Sequence, residues 1–190
     1  MYGQADYEEL KKLLKEKLSE NRYIHSINVA EQAKKLARIN NSDEEKAYFS
    51  GLMHDVCKEM PFEEQEKYVL SSSIDVDIVE KMSTPLWHAI SGAEFLKEHF
   101  NIIDKDILNA VRYHTVGRAE MTVLEKIVYL ADLTSADRSY KDVEKIRKIC
   151  ENNLDMGMQE ALKFSISDCA LKGKTIPKST FEAYNFYLQY

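Results

Sequence analysis

Apolar residues recur at intervals of three and four positions along almost the whole chain, and no segment alternates convincingly between apolar and polar residues. This spacing places the apolar side chains on one face of an α-helix, whereas a half-buried strand needs a period of two. Only 6 glycines and 3 prolines interrupt the pattern. The sequence therefore predicts an all-α fold, a compact bundle of roughly eight to ten helices. Turns are expected near Asn40, Pro61, Ser83, Ile103, Gly117, Tyr140 and Gly173.

Capping residues mark several helix boundaries. Ser42, Thr122 and Ser179 are each followed three positions later by glutamate, the pattern of a capping box at a helix N-terminus. Pro61 suits the first position of a helix, and Gly173 suits a break between the last two helices because a proline follows it at position 177. These residues predict three helix starts, the beginning of a fourth helix and one break.

Length and charge limit the class of protein. A chain of 190 residues with 44% apolar residues can form its own core, so we expect a single domain over residues 1–190. The 26 basic residues are outnumbered by 32 acidic ones, and the net charge of −6 disfavours binding to nucleic acid or to an anionic membrane. Small anionic substrates remain compatible with this charge, because a local basic cluster is enough to bind them. The basic residues between 141 and 148 alternate with acidic ones and are predicted to form a solvated helix face.

Neither export nor insertion into a membrane is expected. The N-terminal segment does not resemble a signal peptide, and no apolar run approaches the length of a membrane span. Cys57, Cys150 and Cys169 are far apart and form no C-x-x-C pair, which suits a reducing compartment. These features predict a cytoplasmic protein.

Six ionisable side chains stand where the helix faces are otherwise apolar. His25 shares a predicted face with Val29, and Asp132 continues the stripe of Leu124 and Val128. The other four occupy comparable positions on their own segments: His54 and Asp55 at the end of an apolar helix, His88 beside Trp87, and His114 after Ala110 and Val111.

A shared metal ion would account for this set. Burying an unpaired carboxylate is costly, whereas imidazoles and carboxylates that converge on a cation satisfy one another. Histidine and aspartate without a thiolate favour iron, manganese or zinc with open positions for water and substrate over a closed structural zinc site. The alternative, which each residue alone would favour, is a core side chain hydrogen-bonded to backbone. Six such residues on successive helices favour the metal, whereas His99, near a helix end, gives no such reason.

The order of these residues resembles the HD superfamily of metal-dependent phosphohydrolases: one histidine, an adjacent His-Asp pair, two further histidines and an aspartate. The resemblance runs from about residue 22 to residue 138. The short sequence motifs at 51–58, 86–92, 111–115 and 129–138 are similar to those of the bacterial YqeK-type enzymes. Those enzymes are symmetrical dinucleoside tetraphosphate hydrolases, which split diadenosine tetraphosphate into two ADP.

Two other branches of the superfamily fit the sequence less well. The residues after His54 and Asp55 are Val-Cys-Lys, not the acidic pair expected of guanosine tetraphosphate hydrolases. The Gly-Tyr-Pro motif of the cyclic-di-GMP branch is absent from the sequence. The resemblance therefore implies hydrolysis of a dinucleoside polyphosphate by metal-activated water.

The resemblance also implies a role for each residue. His25, His54, Asp55 and Asp132 would hold a principal iron-type ion, with manganese or another divalent metal as the alternative. Asp55 would bridge to a second ion at His88 and His114; with one ion, these two histidines would instead contact phosphate or the leaving oxygen. The catalytic residues would be Asp55, His88, His114 and Asp132. Substrate contacts are expected from His25, Asp55, Lys58, His88, His114, Thr115, Asp132, Arg138, Lys172 and Lys174. From the residues alone, Lys58 and Arg138 are also compatible with exposed cations, and Lys172 and Lys174 with a helix C-cap and solvated lysines.

Other functions and partners remain open from the sequence. The same site would suit a nucleotidase acting on mononucleotides, or a helical module that binds a nucleotide and signals without turnover, although an intact ligand series counts against the second. The helices over 141–190 would complete the substrate side. Tyr184, Tyr187 and Tyr190 are predicted to cover the core, with a homodimer surface as the alternative.

Overall fold

The computed structural model describes residues 7–72 and 76–189. Within these residues the backbone forms eleven α-helices and one 3₁₀ turn at Thr84–Leu86, with no β-strand. The all-α prediction is confirmed, and the helix count is close to the one expected. The helices are α1 (Tyr7–Lys17), α2 (Glu20–Ile39), α3 (Glu44–Met53), α4 (Phe62–Ser71), α5 (Ile78–Met82), α6 (Trp87–Phe100), α7 (Lys105–Tyr113), α8 (Val123–Thr134), α9 (Val143–Asn152), α10 (Leu154–Leu171) and α11 (Lys178–Tyr187).

One of the predicted helix starts is confirmed at its capping residue, and a second is displaced by one residue. The side chain of Thr122 caps α8 by accepting a hydrogen bond from the N–H of Glu125. At the start of α3, Asp43 is the N-cap instead of Ser42, and its carboxylate accepts hydrogen bonds from two N–H groups of the first turn. Aspartate is as good a cap as serine, and its charge also faces the positive end of the helix dipole.

The third predicted start is wrong by two positions, and the predicted position of Pro61 is wrong by one. Helix α11 begins at Lys178, before Ser179, and Pro177 is its N-cap. The carboxylate of Asp77 accepts a hydrogen bond at 3.0 Å from the N–H of Lys178. This acidic side chain from a distant segment thus satisfies a helix donor, so no local capping box is needed. Pro61 is the N-cap of α4, one position before the helix.

The core contains a close approach of α2 and α3. A β-carbon added to Gly51 of α3 would stand 3.0 Å from both the Cα of Ala30 and the carbonyl oxygen of Val29. Backbone therefore packs against backbone here, which a side chain at position 51 would prevent. Helix α8 packs against α2 and α3 as well. As a result, α2, the C-terminal end of α3 and α8 are neighbours in space.

Arg147 ties α9 to the C-terminal end of α8. Its guanidinium donates hydrogen bonds to the carbonyl oxygens of Thr134, Ser135 and Arg138 at 2.8, 2.6 and 2.9 Å. Carbonyl groups at the C-terminal end of a helix have no N–H partner within the helix, and the guanidinium supplies the missing donors. The prediction of a solvated helix face over 141–148 is therefore wrong for Arg147.

The last two helices separate where the sequence predicts. Helix α10 ends at Leu171, and Gly173 then adopts a φ of +62°, a left-handed conformation that favours glycine.

Tyr187 is buried and its hydroxyl accepts a hydrogen bond from the N–H of Met121, so this tyrosine covers the core as expected. Tyr184 is half-buried and Tyr190 lies outside the described residues. No helix among those described combines the length and apolar character needed to cross a membrane.

Candidate metal centre

The six ionisable side chains identified in the sequence come together in one cluster, and five of them are buried. Asp132 keeps 21% of its side chain exposed. The helices α2, α6 and α8 and the turns after α3 and α7 supply them. Three groups have their ligand atoms within 4.8 Å of one another: His25 with His54 and Asp55, His54 with His114 and Asp132, and Asp55 with His88 and His114.

Backbone carbonyl groups orient three of the four histidines. In each case the Nδ1–H donates to the carbonyl oxygen three residues earlier in the chain. This hydrogen bond selects the tautomer in which Nε2 carries a lone pair. The three Nε2 atoms face the cluster, and their lone pairs are available to bind a metal. The pairs are His54 to Gly51 at 2.7 Å, His88 to Pro85 at 2.8 Å and His114 to Val111 at 2.7 Å.

His25 is held by side chains instead. Its Nε2 lies 2.9 Å from Oδ1 of Asp132, and its Nδ1 lies 2.7 Å from Oδ2 of Asp137. Asp137 also accepts a hydrogen bond at 3.1 Å from the side-chain amide of Asn28. The ring therefore spans two carboxylates, one inside the cluster and one at its edge.

Two buried polar atoms in the cluster support a metal site. Nε2 of His54 and Oδ1 of Asp55 form no hydrogen bond to any residue that the structure describes. The Asp55 oxygen stands 3.2 Å from Nε2 of His88 and 3.5 Å from Nε2 of His114. Buried polar atoms without hydrogen bonds are costly, and nitrogen and oxygen donors that converge in this way suit a divalent cation. The residues present thus fit a bound metal.

Four side chains of the cluster have protonation states that suit a metal. Burial lowers the pKa of His88 to about 4 and lowers the pKa of His114, so both rings are neutral at neutral pH. Burial acts to raise the pKa values of Asp55 and Asp132, but the neighbouring imidazoles outweigh it and hold both well below the ordinary range. Neutral imidazoles and ionised carboxylates are the forms that coordinate metals. At the fifth, His54, burial acts to lower the pKa, but the neighbouring carboxylate of Asp55 outweighs it and raises the pKa.

Three basic side chains surround these donors. The ammonium group of Lys58 is 4.0 Å from Oδ1 of Asp55, and Arg22 reaches the other oxygen of that carboxylate at 3.2 Å. Arg138 donates hydrogen bonds to the carboxylate and the main-chain carbonyl of Asp132. Arg22 and Arg138 keep 37% and 35% of their side chains exposed. The edge of the cluster is therefore basic and open to an anion.

A cavity of about 360 Å³ is lined by Thr115 and Lys174. Thr115 directly follows His114 in the chain, although none of the six clustered side chains lines the cavity. The hydroxyl oxygen of Thr115 is buried and forms no hydrogen bond among the described residues. Lys172 does not line this cavity; it is the C-cap of α10 and pairs with Asp168 at 2.7 Å. The structure thus brings Lys174, but not Lys172, to the cavity.

Arg22 and Asp137 were not predicted as site residues. Arg22 lies one helical turn before His25, a spacing that places both side chains on one face and was available in the sequence. Asp137 directly precedes Arg138, but its loop position carries no periodic signal. His99 lies elsewhere, with Nε2 3.1 Å from the hydroxyl of Tyr68.

Known proteins resemble this chain along most of its length. A family model described as the HD domain matches residues 22–137. The symmetrical bis(5'-nucleosyl)-tetraphosphatase of Bacillus subtilis (strain 168) is 33% identical, over 94% of this chain and 96% of that protein. The protein of the same name from Staphylococcus aureus (strain NCTC 8325 / PS 47) is 34% identical, over 95% and 93%. The crystal structure of a predicted HD superfamily hydrolase involved in NAD metabolism from Clostridium acetobutylicum has a TM-score of 0.92 and 32% identity, covering 97% of this chain and 98% of that one.

Proposed function

Because the chain belongs to the HD domain family, we propose that it is a metal-dependent hydrolase that cleaves dinucleoside tetraphosphates symmetrically. Diadenosine tetraphosphate and water would give two molecules of ADP. The observation that carries the proposal is the cluster of four histidines and two aspartates, in a chain 33% identical to a symmetrical tetraphosphatase. The basic edge of this cluster supports a polyphosphate as the substrate.

The metal is proposed to be an iron-type ion held by His25, His54, Asp55 and Asp132, with manganese or another divalent metal as the alternative. A second ion would be held by His88 and His114, with Asp55 as the bridge. Two observations support this assignment: the grouping of ligand atoms within 4.8 Å and the buried atoms of His54 and Asp55 that lack hydrogen bonds.

Hydrolysis breaks the central phosphoanhydride bond, so that the oxygen of water joins one ADP and the bridging oxygen leaves with the other. When bound, a divalent metal lowers the pKa of water and withdraws charge from phosphoryl oxygens. Lys58, Arg22 and Arg138 neutralise the remaining phosphate charge, and this stabilisation is greatest where negative charge develops. The rings of His88 and His114 are uncharged at neutral pH. They bind the second ion or, with one ion, contact the phosphate and the leaving oxygen.

The substrate side is proposed to extend from the cluster into the cavity lined by Thr115 and Lys174. Lys174 would contact the distal phosphates or the nucleoside, and the mostly apolar lining suits a base. Helices α9 to α11 complete this side, so residues 1–190 act as one domain. The tie from Arg147 to the end of α8 supports that arrangement. Lys172 remains a prediction from the resemblance.

We place the protein in the cytoplasm with a small nucleotide as its partner. The three cysteines support this location because all three are free. A net charge of −6 supports a small anionic substrate over nucleic acid or a membrane surface. A homodimer through the C-terminal aromatic residues remains the alternative to their covering the core.

Product analysis tests the proposal. The protein is incubated with diadenosine tetraphosphate after chelation, and then with added iron or manganese, and the nucleotides are separated by chromatography. ADP as the sole product, appearing only with metal, is expected. AMP plus ATP would contradict symmetrical cleavage.

Two further substrates separate the alternative functions. Adenosine-guanosine tetraphosphate should give ADP and GDP in equal amounts, because the central bond is the one cleaved. Turnover of mononucleotides without turnover of dinucleotides would make the protein a nucleotidase. A lack of turnover with every metal, despite binding of the nucleotide, would indicate the signalling module.

A further inference from the structure

Among the four clustered histidines, His25 is in the interior of a long helix. His54 and His114 are the C-caps of α3 and α7, and His88 is the second residue of α6. At the C-terminal ends of α3 and α7 the last carbonyl groups are not used by the helix, and they accept the Nδ1–H of His54 and His114. The acceptor of His88 is the carbonyl of Pro85, which lies before α6 in the 3₁₀ turn. The 20-residue helix α2 uses its own carbonyl groups around His25. His25 therefore needs an acceptor from another part of the chain.

Asp137 supplies this acceptor, 112 positions away in the sequence. Its Oδ2 is 2.7 Å from Nδ1 of His25. The loop that carries Asp137 is fixed from two directions. Arg147 donates hydrogen bonds to the carbonyl oxygens of Ser135 and Arg138, on either side of Asp137, and Asn28 donates to its Oδ1 at 3.1 Å.

We propose that Asp137 is a positioning residue, which orients the imidazole of His25 and leaves Nε2 with a lone pair directed into the metal site. A carboxylate that accepts a hydrogen bond from the far nitrogen of a ligating histidine fixes the tautomer and makes the ligand more basic. The inference rests on the metal site of the proposed function. It adds a residue that touches neither metal nor substrate.

A purely structural role for Asp137 has a different signature. In that case the residue would only fasten the loop after α8 to helix α2. Asn28 makes the second half of the same connection without touching His25, because its amide reaches the other carboxylate oxygen. Asn28→Ala is therefore a matched control: it weakens the connection and leaves the contact to His25 in place.

The experiment measures Mn²⁺ affinity by competition with a chelating dye, with thermal unfolding of the metal-free proteins as a check on the fold. Asp137→Ala is expected to lose 10–100-fold in affinity, the range typical for partners of metal ligands. Asp137→Asn, whose amide oxygen still accepts the Nδ1–H, should recover part of that loss. Asn28→Ala should bind within about twofold of the wild type. If Asp137→Ala does not fold, the Asp137→Asn variant still carries the test through its smaller loss.

Two results would overturn the inference. The first is wild-type affinity in both Asp137 variants. The second is a loss of affinity in Asn28→Ala as large as that in Asp137→Ala, which would assign the effect to the loop connection. Failure of the wild-type protein itself to bind Mn²⁺ or iron would instead contradict the proposed metal site. The wild-type measurement thus separates failure of the inference from failure of the proposed function.

Discussion

The Nε2 atoms of His88 and His114 lie 3.2 Å apart, and each ring donates its Nδ1–H to a backbone carbonyl. Two lone pairs that face each other at this distance repel unless a positive charge stands near both. Asp55 places a carboxylate oxygen within 3.5 Å of each Nε2 atom. The ammonium group of Lys58 lies 3.1 Å from Nε2 of His88. This arrangement of donors is suited to a cation.

Replacing Asp55 with alanine should remove both metal binding and hydrolysis. Its carboxylate belongs to two of the three groups of ligand atoms, so no other side chain replaces it. Metal content by elemental analysis and product formation from diadenosine tetraphosphate measure the effect. Asp155→Asn is the control, because Asp155 is a partly exposed carboxylate paired with Lys126 away from the cluster. An Asp55→Ala protein with full activity would refute the assigned site.

Arg138→Ala should weaken substrate binding while the metal is retained. A hydrogen bond to a charged group contributes about 1.5–3 kcal/mol, so KM should rise by about tenfold or more. Removing a positive charge beside Asp132 does not weaken the attraction of a metal cation. Steady-state kinetics and metal content, with Arg38→Ala as an exposed arginine control, check this. Loss of metal would show that Arg138 mainly orients Asp132.

Gly51→Ala should destabilise the fold. Helix propensity alone would favour alanine by about 1 kcal/mol, but the new β-carbon would stand 3.0 Å from the backbone of α2. Overpacking of this kind typically costs about 1–3 kcal/mol, so the contact outweighs the propensity. Urea denaturation measures the free energy of unfolding. A more stable variant would mean that α2 and α3 separate easily.

Asp104 should make the stability of the protein depend on pH. Burial acts to raise the pKa of this carboxyl, but the ion pair with Lys46 and the backbone N–H of Asp106 outweigh it, so the pKa is lowered. A group with a lowered folded-state pKa stabilises the fold above its unfolded pKa of about 3.9. That stability is lost as the pH falls through the folded-state pKa.

Asp104→Asn tests this dependence because the amide can still cap α7. The variant should be less stable than the wild type at neutral pH by at most about 1 kcal/mol. The difference should disappear under strongly acidic conditions, where the wild-type carboxyl is protonated. Thermal unfolding across this pH range, repeated with Lys46→Met, measures it. A difference that does not change with pH would indicate that the ion pair contributes nothing.

The sequence predicts the cluster well because its members break a pattern. His25, His54, His88 and His114 lie at positions where helical spacing demands apolar side chains, and all four are buried in the structure. The spacing predicts which face of each helix is buried, and the structure shows that these faces meet at one cluster. The same reasoning explains why α-helices were predicted throughout.

Asp137 and Arg147 show where sequence reasoning ends. Asp137 lies in a loop and Arg147 in a run of alternating charges, and both patterns are those of solvated residues. Their roles depend on which distant atoms the fold brings near: the ring of His25 for Asp137, and three carbonyl groups at the C-terminal end of α8 and in the loop after it for Arg147. The start of α11 differs from the prediction for the same reason, because Asp77 caps it from another segment.

The contacts of Arg147 bear on how the chain can be divided for protein engineering. The family match ends at residue 137, yet the carbonyl oxygens of Thr134, Ser135 and Arg138 receive their hydrogen bonds from α9. A fragment cut at the end of the match would keep the six clustered side chains and lose the donor that holds their last loop. A transplanted metal site should therefore carry α9 with it, so that the smallest portable unit is longer than the recognisable motif.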